Sequence, residues 1–164
     1  MTDDMIERLV EQWSRVRPEL DAGPMRISGR LLRLAKLVER RTEAVLKPLG
    51  LELWQFDVLA TLRRYDRDMS PGELLDATML TSGAMTYRLD RLEASRLIER
   101  RPDPDDRRGV RVRLTAGGAE LVDRAVELRF EEAARVATVL REGDSTRLGR
   151  LLAELERGLQ GLTE

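Results

Sequence analysis

Ser70-Pro71-Gly72-Glu73-Leu74-Leu75-Asp76-Ala77-Thr78-Met79-Leu80-Thr81-Ser82-Gly83-Ala84-Met85-Thr86-Tyr87-Arg88-Leu89-Asp90-Arg91-Leu92-Glu93 reads as two short amphipathic helices joined by a tight turn. Ser70 is placed to cap the first, with Pro71 at the first helical position and Glu73 three residues after the cap. Met79-Leu80-Thr81 is the expected turn, and Thr81 can cap a second helix that carries Thr86, Tyr87, Arg88 and Arg91 on its polar side. Leu97-Ile98-Glu99-Arg100-Arg101 follows, then a loop from Pro102 to Gly109 and a return run Val110-Arg111-Val112-Arg113-Leu114-Thr115. A helix pair of this size fits a helix-turn-helix, and the hairpin behind it fits a wing. The expected fold is therefore mainly α, a winged helix-turn-helix with a small β-hairpin.

Composition narrows the function. The 164 residues suit one domain with a sizeable core. The chain has no Cys and no His, so disulfides and thiolate metal sites are excluded, and the commonest general base and zinc ligand are missing. No nucleophile–base arrangement or phosphate-binding loop is visible, and the protein is expected not to be an enzyme. No run of about 18 apolar residues exists and Met1-Thr2-Asp3-Asp4 is acidic, so neither a membrane span nor a secretory signal is expected. The expected location is cytoplasmic. Net charge is −1, yet Thr81 to Arg113 holds nine Arg against six acidic residues. For nucleic acid the distribution matters more than the sum. Of 29 basic residues 27 are Arg, the side chain suited to bidentate contacts, although a codon bias gives the same count.

Outward from the centre the chain is helical. Asp3 or Asp4 can cap a helix with Ile6, Leu9, Val10, Trp13 and Val16 at 3.6-residue spacing. A long helix is expected from about Met25 to Lys47, buried through Ile27, Leu31, Leu34, Leu37, Val38 and Val45, and broken at Pro48. Leu53 to Tyr65 forms the next. Thr115 starts a helix running to about Arg141, with Leu121, Val122, Ala125, Leu128, Ala133, Val136 and Leu140 inward. A final helix shows Leu148, Leu151, Leu152, Leu155, Leu159 and Leu162 on one face. Residues 1–164 thus divide into a DNA-binding lobe, 48–114, and dimerisation helices, 1–47 and 115–164. The first and last elements are expected to pack together and against a second copy, since a two-fold homodimer is the commonest use of such a surface.

The second helix of a helix-turn-helix enters the major groove with its N-terminal residues on base edges. Here these are Ser82, Gly83, Thr86, Tyr87 and Arg88, with Arg91 one turn on and Ser70 at the start of the first helix. Gly83 permits close backbone approach to phosphate, and the free amides of the helix start favour an anion. Arg88 can read guanine bidentately, worth about 1–3 kcal/mol of discrimination. An ordinary amphipathic surface helix with Leu89 and Leu92 in the core is the alternative. At the wing tip, Arg107 and Arg108 are candidates for the minor groove, with Arg111 on the return strand. Asp106 is expected to bond within the loop. A solvated charged turn is the competing account of that tip.

These residues together resemble the MarR family of dimeric winged helix-turn-helix transcriptional regulators. Asp106-Arg107-Arg108, then Val112-Arg113-Leu114-Thr115 and Gly118, matches the family's Asp-x-Arg followed by Leu-Thr-x-x-Gly, and Arg88-Leu89-Asp90-Arg91-Leu92-Glu93 matches its recognition-helix ending. Ser95-Arg96-Leu97 departs from it, because the family usually has Gly before the strand. A non-Gly residue then holds the helix C-terminus, with a strained left-handed conformation as the expectation.

A narrower resemblance points to the urate-responsive, PecS/HucR-type branch. That branch has an extra N-terminal helix, supplied here by Asp3 to Arg17, and Trp13, Asp57, Arg101 and Arg113 occupy the positions of its ligand-binding residues. The resemblance implies no cofactor, but a small anionic aromatic effector, urate or a related purine, that attenuates DNA binding. Such an anion would pack on Trp13 and take hydrogen bonds from an Arg fork. Asp57 has only Leu53, Trp54, Ala60 and Thr61 at helical spacing, so if buried it needs a distant cation, for which a wing Arg is the natural candidate. The plainer readings are a core aromatic at Trp13, a solvent-facing Asp57 and a phosphate contact at Arg113.

The partners implied are double-stranded DNA and a second copy of the chain, with the protein acting as a repressor at a pseudo-palindromic operator. Two alternatives remain. One is a ligand-insensitive or phenolic-acid-responsive DNA binder of the same fold. The other is an all-helical protein-interaction module whose charged hairpin meets a partner protein.

Overall fold

The computed structural model describes residues 4–78, 85–104, 106 and 109–162. Its elements run α1 (Met5–Val16), α2 (Met25–Leu46), a 3₁₀ turn (Lys47–Leu49), α3 (Leu53–Tyr65), α4 (Pro71–Ala77), α5 (Met85–Ala94), β1 (Ile98–Pro102), β2 (Val110–Leu114), α6 (Ala116–Ala137) and α7 (Asp144–Gln160). This is the mainly helical winged helix-turn-helix that the central stretch specifies. Contacts divide the chain into two compact units, one ending at Ala44 and the other beginning at Val45. No helix among the described residues is long and apolar enough to cross a membrane.

In the N-terminal unit, Asp4 caps α1, its Oδ1 accepting from the Ile6 and Glu7 N–H groups at 3.0 and 3.4 Å. That cap and the Arg30 guanidinium 2.8 Å away hold the Asp4 carboxyl below its ordinary range, the Arg30 hydrogen bond being the larger cause. Arg26 and Arg30 of α2 both reach Glu7, each at 2.8 Å. Ile6 lies against Gly29, where an added Cβ would stand 3.1 Å from Ile6 Cδ1, so the small residue sets how closely the two helices pack.

The larger unit is built round one apolar cluster. Val58, Leu59 and Leu62 of α3, Leu74 of α4, Leu89 and Leu92 of α5, Ile98 and Val112 of the hairpin, and Val122 and Ala125 of α6 are all buried in it. The antiparallel strands pair Ile98 with Leu114, Arg100 with Val112 and Pro102 with Val110. Met69, just before α4, adds an isolated bridge to Val112, each residue donating its N–H to the other's carbonyl at 3.0 and 2.8 Å. Arg63 grips Asp123 with two hydrogen bonds, 2.7 and 3.2 Å, tying α3 to α6 and holding the Asp123 carboxyl below its ordinary range.

The junction between wing and α6 accounts for the Leu-Thr-x-x-Gly signature. Thr115 Oγ1 accepts from the Gly118 N–H at 2.9 Å and donates to the Arg96 carbonyl at 2.7 Å. The Leu97 carbonyl accepts from the Thr115 N–H at 3.1 Å and approaches Gly118 so closely that a Cβ there would overlap it. Only glycine fits. At the other root of the hairpin, α5 ends with the Arg96 N–H donating to the Glu93 carbonyl and the Leu97 N–H to the Leu92 carbonyl, a Schellman arrangement. Arg96 carries its left-handed residue, φ +57°, as its non-Gly identity led one to expect.

Two expectations need correcting. α6 stops at Ala137 rather than Arg141, because Thr138 Oγ1 turns back to donate to the Arg135 carbonyl and Val139 and Leu140 fall into tight turns. Nor are all the long-helix stripes buried. Ile27, Leu34, Leu37 and Val38 of α2 and Ala133, Val136 and Leu140 are exposed, as are Leu148, Leu151, Leu152 and Leu159 of α7. Helical spacing reports which face is apolar, and a single chain does not cover these faces.

Candidate nucleic-acid interface

α5 turns Met85, Leu89 and Leu92 into the core, which leaves Thr86, Tyr87 and Arg91 exposed on its outer side. Tyr87 is 62% exposed, high for an aromatic side chain that the core could have taken. Arg88 differs from its expected pose. It is half-buried, with its guanidinium carbon 5.9 Å from the centroid of the Trp54 ring and Nη1 without a hydrogen-bond partner. Ser82, Gly83, Arg107 and Arg108, with the turn Met79-Leu80-Thr81, lie outside the described residues.

Ser70 opens α4 as its capping residue. Its N–H donates to Glu73 Oε2 at 2.7 Å, and its Oγ accepts from the Glu73 N–H at 3.2 Å. Glu73 does more than cap. It also pairs with Arg67 at 2.8 Å and with Arg111 of β2 at 2.7 Å. The Ser70 amide first, and Arg67 second, hold the Glu73 carboxyl down at about 2. Arg111 in turn meets Asp103 at 2.6 Å, and the Asp103 N–H donates to the Gly109 carbonyl at 3.0 Å. The guanidinium expected to face DNA is thus occupied by two carboxylates that fix the loop end of the hairpin. Asp106 accepts from the Gly109 N–H through its backbone carbonyl at 2.8 Å, a bond inside the loop.

A second clamp joins β1 to α5. Arg100 Nη1 lies 2.7 Å from Asp90 and 2.9 Å from Glu93, and the Arg100 N–H donates to Glu93 Oε1 at 3.1 Å. Sequence reading passed over Arg100, although a signal was there. Strand alternation puts it on the side of Ile98, opposite Val112, so a charge stands on the inward face and needs a partner. The wing is therefore tied to both helices of the helix-turn-helix, through Glu73–Arg111 and through Glu93–Arg100. The three parts can meet a duplex as one body.

The expected ligand residues fall as follows. Arg101 and Arg113 share one face of the hairpin and converge on Glu99, at 2.8 and 3.2 Å. Arg113 also borders a cleft of about 270 Å³ with Leu62, Arg63, Asp66 and Arg67, and neither Asp57 nor Arg101 is among its walls. Asp57 is half-buried on α3. Trp13 belongs to the N-terminal unit, on α1, and is 46% exposed.

Comparison with known proteins places this geometry. Residues 49–109 match the family model described as the MarR family. The chain is 36% identical over 156 residues to the HTH-type transcriptional regulator PecS of Dickeya dadantii (strain 3937), covering 94% of each chain. It is 37% identical over 101 residues to the multiple antibiotic resistance protein MarR of Escherichia coli (strain K12), covering 61% of this chain and 69% of that one. Among solved structures, a mutant MarR from E. coli complexed with operator DNA superposes with a TM-score of 0.71 at 29% identity, over 87% of this chain and 96% of that one. AbsC from Streptomyces coelicolor, a MarR family transcriptional regulator, gives 0.74 at 25% identity, over 85% and 96%. Full-length similarity to PecS accords with the extra N-terminal helix, and the chain belongs to the MarR family of winged helix-turn-helix transcriptional regulators.

Proposed function

We propose that this MarR-family DNA-binding regulator works as a homodimeric repressor at a pseudo-palindromic operator, and that a small anionic aromatic ligand releases it. One observation carries the DNA reading: α4, α5 and the wing are clamped together, while Thr86, Tyr87 and Arg91 stand exposed on one side of α5. A preset surface of this kind loses little entropy on docking. Likeness to a solved MarR bound to operator DNA supports the same reading. The exposed leucines of α7 supply an apolar face for the second copy, and a two-fold dimer reads two half-sites about one helical turn apart.

Selection of bound duplexes from a random pool tests the proposal, since it reports symmetry and half-site spacing together. A pseudo-palindrome is expected, with an affinity on the order of 10⁻⁸ M or tighter that falls steeply with added salt. Survival of duplex binding in both Arg88→Ala and Arg108→Ala would remove the groove assignments and favour a protein-interaction module.

The effector is proposed to act through Trp13, Asp57, Arg101 and Arg113. Its support is the resemblance to the PecS type together with the two wing arginines meeting at Glu99. An anion that draws Arg101 or Arg113 away from Glu99 would bind the two wing states unequally, as any switch requires. Urate, xanthine and salicylate added to the protein–operator complex separate the readings. Release by the purines supports the pocket, release by salicylate alone supports a phenolic-acid responder, and release by none supports a ligand-insensitive binder.

A further inference from the structure

Trp54 has a place that none of the roles above uses. It stands in the first turn of α3, half-buried, and its indole N–H donates to Glu52 Oε2 at 2.6 Å. The ring is thereby fixed from one edge while its face meets α5. The guanidinium carbons of Arg88 and Arg91 lie 5.9 and 5.6 Å from its centroid. Arg91 is further steadied by Glu52 at 3.5 Å and by the Tyr87 ring at 6.0 Å. Among the described residues Arg88 has no such second hold, and its Nη1 is shut from water without an acceptor. A guanidinium N–H buried in this way is unfavourable by itself, so the π-face is what keeps the side chain there.

We infer that Trp54 is a positioning residue for duplex recognition: its ring presets the direction of the Arg88 and Arg91 guanidinium groups on α5. Long side chains lose rotamer freedom when they dock, and a guanidinium already aligned on a ring has less to lose. With the guanidinium planes kept on the ring, the remaining N–H groups of Arg88 and Arg91 are left to meet base edges or phosphates. Two such contacts together correspond to about tenfold in affinity. The inference rests on the DNA-binding reading above and adds to it a residue on α3, directly behind the helix assigned to the groove.

The test compares the full-length protein with Trp54→Leu and Trp54→Phe, on the selected duplex and on a scrambled one, at one fixed salt concentration, with thermal melting alongside. Trp54→Leu is expected to lose about tenfold on the selected duplex and less than twofold on the scrambled one. Trp54→Phe, which keeps a ring face, is expected to recover most of that loss. Added to Trp54→Leu, Arg88→Gln should cost less than it does in the wild type. Should Trp54→Leu not fold, Trp54→Met takes its place with the same readings. The inference is overturned by unchanged binding to the selected duplex, by equal losses on both duplexes, or by a Trp54→Phe loss as large as that of Trp54→Leu. A wild-type protein that selects no duplex at all overturns the DNA-binding reading itself, and the two failures are thereby told apart.

Discussion

Glu73 Oε2 lies 2.7 Å from Arg111 Nη1, so a residue in the first turn of α4 holds a wing strand 38 positions away in sequence. The same carboxylate caps α4 and binds Arg67. One side chain therefore joins the start of the helix-turn-helix to its wing, and both depend on its charge.

That charge sets a pH dependence. The folded Glu73 titrates at about 2, against an ordinary value of 4.5. A depressed carboxyl contributes stability that is complete above the unfolded value and lost as pH falls through the folded one. The stability difference between wild type and Glu73→Gln is expected to be constant above about pH 5, to shrink between 4.5 and 2, and to vanish below. Urea unfolding of both proteins from pH 2 to 7 checks this, and a difference as large at pH 2 as at pH 7 contradicts it.

Gly118→Ala is expected to destabilise the fold by about 2 kcal/mol, the scale of overpacking against a backbone that cannot move aside. Gly117→Ala is its control. A Cβ there meets nothing within 4 Å, and alanine in a helix is worth roughly 0.5–1 kcal/mol over glycine. The neighbouring substitutions should thus have opposite signs in urea denaturation.

Arg96→Gly should stabilise the protein by about 0.5–1 kcal/mol, because glycine takes the left-handed φ of +57° without the Cβ clash that arginine bears. Thermal melting at constant pH reads the effect. A lower melting temperature would mean that the Arg96 side chain has a role its backbone conformation hides.

Leu151→Glu combined with Leu152→Glu places charge on the exposed apolar face of α7, where these leucines are 48% and 42% exposed. Sedimentation velocity is expected to show a monomer, with operator affinity reduced by more than tenfold while far-ultraviolet circular dichroism is retained. A dimer that withstands both changes moves the interface elsewhere.

Legibility followed the range of the interactions. Ser70 and Thr115 act within a few residues of themselves, so the caps and the paired strands of the wing could be read from type and spacing, and Gly118 from the family signature. The left-handed Arg96 was legible for the same reason. Arg88 and Arg111 were harder, because their positions depend on Trp54 and Glu73, which lie 34 and 38 positions away in the chain. Residue type suggested arginines free to meet DNA, whereas tertiary neighbours engage both. The outward stripes of α2 and α7 show the complementary limit. Periodicity identifies an apolar face but not whether the same chain covers it.

The paired backbone hydrogen bonds between Met69 and Val112 have a mechanical consequence. They knit the hairpin to the segment entering α4, so a push on the wing reaches that segment without passing through the tip loop. A load taken up by the wing would pass along this seam into the start of α4.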